Sequence, residues 1–253
     1  MYAEERQRSI LERARAEGRV DVAALAAEFE VTYETVRRDL TTLERHGVLR
    51  RVHGGAITVE RLGFEPTLTV RDSVMTAEKE RIAKAALLEL PEDGSVLLDA
   101  GSTTGRLAER LPTDRDLTVV TNSLSIAFTL TPRTNINLML LGGRLRARTQ
   151  ATVDAWALQA LEETYIDVAF MATNGVSAER GLTTPDSAEA MVKRAMMRSS
   201  RRAVLLADHT KVGNDHFTRF ASVEDVDCLI TDNGLAPELA EDLRARGPRV
   251  VTV

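Results

Sequence analysis

One cysteine, four histidines and an aromatic content of 4% set the first limits on this 253-residue chain. A single Cys228 excludes an internal disulfide and fits a reducing compartment. It lies in the apolar run Val226-Asp227-Cys228-Leu229-Ile230, where a buried strand residue is expected rather than a reactive thiol. The histidines are scattered, with no cysteine or carboxylate cluster at ligand spacing, so no metal site is expected. No apolar run is long enough to cross a bilayer and no signal peptide is recognisable, which leads us to expect a cytoplasmic protein with no membrane partner. A basic excess is missing too. The net charge is −5, and residues 1–57 carry ten arginines against ten acidic residues. Affinity for DNA, if any, has to come from the local placement of arginine, and it should fall with salt.

What is present is a 43% hydrophobic content, sufficient for a real core, in a length that suits one large or two modest domains. The stretch Val31–Ala56, VTYETVRRDLTTLERHGVLRRVHGGA, is the most informative. Thr32 is placed to cap a helix in which Val36, Leu40 and Leu43 form one apolar stripe. Its outer face carries Glu34, Thr35, Arg38, Thr41, Thr42 and Arg45, with Arg37 at the flank and Gly47 as the left-handed cap. Leu49–Val52 reads as a short strand and His53-Gly54-Gly55 as a hairpin tip, with Arg45, Arg50 and Arg51 and no acidic residue from Arg45 to Ala56. Before it, Asp21 caps a helix lined by Val22, Leu25, Ala26 and Phe29, and Glu30-Val31 is a tight turn. An earlier helix, Glu4–Glu17, completes a three-helix core with a wing, and the second helix of the pair suits a major groove. Tyr33, Glu34, Thr35, Arg37, Arg38, Arg50, Arg51 and His53 are the candidate DNA-binding residues.

Residues 58–75 contain Gly63 and Pro66 with weak periodicity and read as a linker. From 76 to 253 short apolar strands alternate with helices, which predicts an α/β domain with a largely parallel sheet. Several strands end in polar or glycine-containing turns, where an open sheet offers its crevice. In Asp99-Ala100-Gly101-Ser102-Thr103-Thr104-Gly105, small residues and hydroxyls suit a phosphate at a helix start, although a plain Ser/Thr cap looks the same. The turn lacks a Walker lysine, so a nucleoside triphosphate fits poorly. Thr121-Asn122-Ser123, Gly142-Gly143-Arg144 and Thr173-Asn174-Gly175 end three more strands, and Arg144 is placed for a bidentate contact. Arg146 and Arg148 read as solvated. Lys211, in Asp208-His209-Thr210-Lys211, falls at the same sheet end. Glu189 and Lys193 are one helical turn apart, which on spacing alone reads as a surface ion pair. Hydroxyl and amide lining favours a phosphorylated polyol over a flat aromatic ligand.

Residues 1–57 resemble the winged helix-turn-helix of the DeoR family of bacterial repressors, whose signature TVRRDLTTLERHGVLRRVHGGA matches nearly residue for residue. Residues 75–232 resemble that family's sugar-phosphate-sensing domain, which is similar in fold to ribose-5-phosphate isomerase. The resemblance implies that Asp99, Ser102, Thr103 and Thr104 hold a phosphosugar, with Gly101, Thr121, Asn122, Gly142, Gly143, Arg144, Asn174 and Gly175 nearby. It matches Glu189 to the isomerase's catalytic glutamate and Lys211 to an active-site lysine. Where the isomerase has an acidic Gly-Ala-Asp type loop, this chain has Ala172-Thr173-Asn174-Gly175, and an amide cannot do the proton transfer of a carboxylate. Binding without turnover is implied, with no catalytic residue and no cofactor. MYAEER, LLDAGSTTGRLAERLP, Arg148-Thr149-Gln150 and ATNGVSAERGLTTPD resemble actinobacterial regulators of fructose and phosphotransferase sugar uptake, which implies fructose 1-phosphate as effector and fructose 6-phosphate next. The expectation is a homodimeric or homotetrameric repressor on an operator duplex, released by a phosphorylated sugar. The alternatives are an aldose–ketose phosphate isomerase with a DNA-binding module, and a regulator that binds a non-sugar anion.

Overall fold

The structure is a computed structural model, and it describes residues 2–17, 19–46, 48–52, 54–58 and 65–253. The chain divides into two compact units, Met1–Pro66 and Thr67–Val253. Among the described residues no helix is long and apolar enough to cross a membrane.

The first unit is built from α1 (Ala3–Glu17), β1 (Arg19–Asp21), α2 (Val22–Glu28), α3 (Tyr33–Arg45), β2 (Leu49–Val52) and β3 (Gly55–Thr58). Asp21 accepts hydrogen bonds from the amides of Ala23 and Ala24, and Thr32 accepts from the amide of Thr35, so both helices start on the side-chain caps that the sequence suggests. Glu30, with φ of 53°, makes the sharp turn between them. Ile10, Ala14, Leu25, Val36, Leu40, Leu43 and Leu49 close one small core. The wing has a third strand that the pattern does not reveal: β1 pairs with β3, giving the order β1-β3-β2. Three residues are too few to show a period. The expected caps at Gly18 and Gly47 and the hairpin tip at His53 lie outside the described residues.

A buried ion pair fixes α3 on α1. Arg6 Nε donates to Asp39 Oδ2 at 2.6 Å, and Gln7 Nε2 donates to Oδ1 at 2.9 Å. Asp39 thus points inward from the helix whose other side carries Arg37 and Arg38, both exposed.

The second unit begins with α4 (Leu68–Asp72), a helical turn inside the stretch that the sequence pattern leaves as linker. Thr67 caps it through the amide of Val70. There follow α5 (Thr76–Ala86), β4 (Gly94–Leu98), α6 (Ser102–Glu109), β5 (Leu117–Thr121), α7 (Leu124–Leu130), β6 (Ile136–Leu140), β7 (Arg144–Arg146), β8 (Ala151–Val153), α8 (Ala155–Glu162) and β9 (Val168–Ala172). The chain ends with β10 (Gly175–Ser177), β11 (Gly181–Thr184), α9 (Ser187–Arg198), β12 (Ala203–Leu206), β13 (Thr218–Ala221), β14 (Cys228–Thr231), α10 (Pro237–Arg244) and β15 (Arg249–Thr252).

Seven strands form one fully parallel sheet in the order β15-β14-β12-β9-β4-β5-β6. Side chains alternate between its faces. Val96, Leu98, Phe170, Val204 and Leu206 pack with residues of α5, α6 and α7. Leu97, Val120, Met171 and Leu205 pack with residues of α8, α9 and α10. Cys228 is buried in the first of these layers, as its apolar run implies. The order reverses between β4 and β9, and parallel strands bring all the expected turns to one end of the sheet, where this switch opens a crevice. Two small antiparallel additions, β7-β8 and β10-β11-β13, are absent from the sequence reading because their strands are three or four residues long and lack a continuous apolar run.

Replacing Asp39 with Ala leaves the Arg6 side chain, 9% exposed, without this carboxylate. A destabilisation of the first unit by about 3–5 kcal/mol is expected in urea denaturation, and the paired Arg6→Met/Asp39→Leu replacement should recover most of it.

Candidate functional site

The candidate DNA-reading surface is the outer side of α3. Tyr33, Glu34, Arg37 and Arg38 are exposed on it, and Thr35 is half-buried, its hydroxyl 2.9 Å from that of Thr32. The wing is drawn onto the helix by Arg51, whose amide donates to Glu44 Oε1 at 3.0 Å and whose Nη1 donates to Thr41 Oγ1 at 3.2 Å. The side chain of Arg50 and all of His53 lie outside the described residues.

The candidate effector site lies at the carboxyl end of the parallel sheet. Helix α6 starts there on Gly101, and no side chain caps its first turn. The sequence leaves open whether Ser102-Thr103-Thr104 is merely a capping motif. The contrast with α7 bears on it, because Ser123 does cap α7 through the amide of Ile126. Helix α5 also starts without a side-chain cap, on Met75 in the left-handed region. Two helix starts with outward amides and the positive ends of their dipoles favour an anion. Ser102 is half-buried and Thr103 is mostly buried beside them.

Cations stand next to these starts. Lys79, in the first turn of α5, is buried and donates to Val74 O at 2.6 Å and to Arg71 O. Burial pushes its ammonium down to about 8; Asp208 works against this, while Lys211 and Arg71 add to it. Lys211 is half-buried in the turn after β12. Buried Asp208 is held below its ordinary range: desolvation pulls it up, but Lys211, Lys79 and the hydroxyl of Thr210 outweigh it.

Asp99 is completely buried at the end of β4. Its Oδ2 accepts from the amide of Ala172 at 2.9 Å and from Lys193 Nζ, and Oδ1 has no partner. Burial pushes this carboxyl up, against the pull of Lys193 and the Ala172 amide. Lys193 also donates to Ala172 O at 3.1 Å and lies 5.6 Å from the Phe220 ring centre. The spacing-based surface pair Glu189–Lys193 is therefore corrected, since both are buried and they have different partners. Glu189 accepts from Thr149 and Arg146, and Arg146 also meets Asp186 at 3.3 Å, so Arg146 is not solvated as its context suggests. The stripe Glu189, Val192, Lys193, Met196 faces the core, and that apolar spacing was the signal for both charges.

Several expected ligand residues act as scaffold. The Thr104 hydroxyl is directed at Asp99 O at 2.7 Å and Gly101 O at 3.0 Å, and the Thr121 hydroxyl donates to Leu98 O at 2.6 Å. Asn122 accepts from the Ala100 amide at 3.0 Å and donates to Thr152 O at 3.3 Å. Asn174 Oδ1 accepts from the Thr184 hydroxyl at 3.0 Å. Arg144 is exposed and pairs with Asp154 at 2.7 Å. A Cβ on Gly101 would lie 2.7 Å from that of Ala172, one on Gly143 2.3 Å from Val153 O, and one on Gly175 2.2 Å from Asn214 O. These three glycines let loops close on each other, whereas Gly142 faces open space.

A family model described as the DeoR C terminal sensor domain matches residues 74–233, and one described as the DeoR-like helix-turn-helix domain matches residues 6–61. The chain belongs to the DeoR family of transcriptional regulators. This DeoR-family chain is 38% identical over 251 residues to the HTH-type transcriptional regulator GlpR of Haloferax volcanii, covering 99% of this chain and 98% of that one. It is 35% identical to the uncharacterized regulator FruR of Bacillus subtilis (96% and 95% covered) and 30% identical to the glycerol-3-phosphate regulon repressor of Escherichia coli (92% and 92%). Among solved structures, ribose 5-phosphate isomerase A from Methanocaldococcus jannaschii aligns over 53% of each chain with a TM-score of 0.39 and 16% identity. The regulator thus combines a DNA-binding helix-turn-helix with an α/β sensor. The comparisons point to a regulator rather than an enzyme.

Beyond the candidates read from its sequence, Lys79, Lys193, Arg146 and Asp208 lie at the candidate site of this DeoR-family chain. Lys79 had a visible signal, a lysine in the first turn of a helix, where it opposes the macrodipole. Beside Lys211, the ring of His209 is oriented by Asp232, with Nδ1 and Oδ2 2.7 Å apart. Burial pulls the Asp232 carboxyl upward, but the His209 ring and the amides of His209 and Gly234 hold it at about 2. A carboxyl depressed in the fold adds stability that is present above its ordinary 3.8 and lost as pH falls to about 2. Asp232→Asn is therefore expected to cost about 1–2 kcal/mol at neutral pH, and urea titrations should show the gap to wild type closing as pH falls through that window.

Proposed function

We propose that the protein is a repressor of sugar-uptake and catabolic genes that leaves its operator when a phosphorylated sugar binds the sensor. The observation that carries this reading is the pair of uncapped helix starts, α5 and α6, with Lys79 and Lys211 beside them. Four charged or dipolar donors converging on one place suit a phosphate. Ser102, Thr103 and the Gly101 loop are the nearest contacts for it, and Asp99, with one oxygen unengaged, suits a sugar hydroxyl. Fructose 1-phosphate is the first effector to try and fructose 6-phosphate the second. The name of one relative, the glycerol-3-phosphate regulon repressor of Escherichia coli, agrees with a phosphorylated polyol.

On the DNA side, the residues assigned to contact bases and phosphates are Arg37 and Arg38, with Tyr33, Glu34 and Thr35, and those assigned to the backbone or minor groove are Arg50, Arg51 and His53. A homodimer or homotetramer presents these helices in pairs to operator half-sites. The effector favours an arrangement in which they no longer match the half-site spacing, which requires only unequal ligand affinity for the two arrangements. Turnover by Glu189 is disfavoured because Arg146 and Thr149 already engage its carboxylate.

Arg38→Ala is expected to weaken operator binding tenfold or more in fluorescence anisotropy while leaving sugar-phosphate affinity intact in calorimetry. Equal operator affinity of the two proteins at every salt concentration would remove Arg38 from the reading surface. Retention of the operator complex at saturating concentrations of every phosphorylated sugar would remove the sensing role.

A further inference from the structure

The parallel sheet has two outer strands, and they are finished differently. β15 starts on Arg249, which is fixed to Glu89. Just beyond its end, Arg81 Nε and the amide of Asn233 both donate to Val253 O, at 3.3 Å and 3.0 Å. A charged side chain and a covered end are common means of keeping an edge strand from pairing with another chain. β6, at the opposite edge, has neither. It pairs only with β5, in an unbroken register, and Ile136-Asn137-Leu138-Met139-Leu140 contains no charge and no proline. Among the described residues no backbone hydrogen bond covers its outer side.

The surface beside this edge is apolar. Helix α7 packs against β5 and β6. Phe128 of α7 is 82% exposed, and Leu124, one helical turn before it, is exposed as well. On the strand Met139 is 50% exposed and Leu140 nearly as much. Successive strand residues point to opposite faces, so these two flank the edge above and below. Arg133 is the single charged residue from 117 to 143, in a chain that is 28% charged. Its guanidinium is engaged by Leu111 O and Pro112 O, both at 2.8 Å. Exposed Phe and Met with charge depleted around them are the composition of an interface core.

We propose that β6 and the exposed side of α7 join the sensor to a second copy of this chain, β6 pairing antiparallel with the same strand across a two-fold axis normal to the sheet. The inference rests on the homo-oligomer of the reading above and adds the face that builds it. An uncharged strip offers nothing to a strongly charged partner, duplex DNA included, whereas a second copy is uncharged to the same degree. The two-fold gives the outward N–H and C=O groups of β6 their counterparts on the copy, and it closes both open edges at once. It also keeps the two α7 helices on one face, with Leu124 and Phe128 of each along the seam. These four large side chains offer on the order of 400 Å2, about half of the roughly 800 Å2 per partner that a standard stable interface buries. The strand backbone and Asn137 add to it.

The test follows the mass of the full-length protein by sedimentation velocity across a dilution series. Phe128→Glu and Met139→Lys change exposed side chains, so both should fold, and each should raise the dissociation constant of the assembly at least a hundredfold. Leu88→Lys, an equally exposed apolar position away from this edge, should leave the mass unchanged. Hydrogen exchange on wild type needs no variant: amides within residues 137–140 should be slow in the assembled protein and fast once dilution separates it. An assembled wild type whose mass and dissociation constant persist in both variants, or whose 137–140 amides exchange equally fast in both states, would overturn this face and leave the repressor reading standing. A wild type that sediments as a monomer at every concentration would overturn the face together with the paired presentation of the DNA-reading helices.

Discussion

A buried ion pair, Asp99 with Lys193, holds the centre of the sensor together. Asp99 ends β4, the Ala172 that shares its Oδ2 ends β9, and Lys193 comes from α9. These are the two strands between which the sheet order reverses, so the pair closes the crevice floor from below. Two opposite charges taken out of water hold only while both are present, because removing one leaves the other buried alone. The loop above inherits this rigidity. Gly101 lies so close to Ala172 that no side chain fits between them, and Thr104 ties the loop carbonyls from beneath. The open start of α6 is thus set on a fixed floor and is exposed to whatever anion arrives.

The side of the crevice formed by α9 is arranged differently from a proton-transfer site. Glu189 is drawn into Arg146 and Thr149, on and beside the β7-β8 hairpin. Arg146 in turn touches Asp186, the N-cap of α9. The carboxylate ties a hairpin to a helix, and the same hairpin accepts the amide of Leu68 through Arg148. A continuous set of polar contacts thus runs from α9 through the hairpin to the first turn of the sensor.

The broad architecture was legible because period and punctuation agree along most of the chain. Thr32 and Asp21 announce two helices by their caps, and the alternation of apolar strands with helices announces the parallel sheet. The strands β1, β7, β8, β10 and β11 were not legible, being three or four residues long and broken up by Arg, Asp, Gly, Ser or Thr, unlike the apolar four-residue runs of the main sheet. At the site, the loops could be located but not the direction of each side chain. Thr104, Thr121 and Asn122 have the composition of ligand groups, yet their hydrogen bonds hold neighbouring loops. Lys193 shows the opposite error, a charge whose spacing suits a surface pair but whose partners come from 21 and 94 residues away in sequence. Contacts of that separation leave no local trace.

Three arginines of α1 have one more consequence. Arg6 is sealed against Asp39, Arg8 is paired with Glu12, and Arg13 with Glu17 and Glu28. They add little to any attraction for a polyanion, so few condensed counterions are displaced when this unit meets a random stretch of chromosome. Residence on the wrong sequence is then short, and the search for the right one proceeds more by repeated detachment and recapture than by long one-dimensional travel.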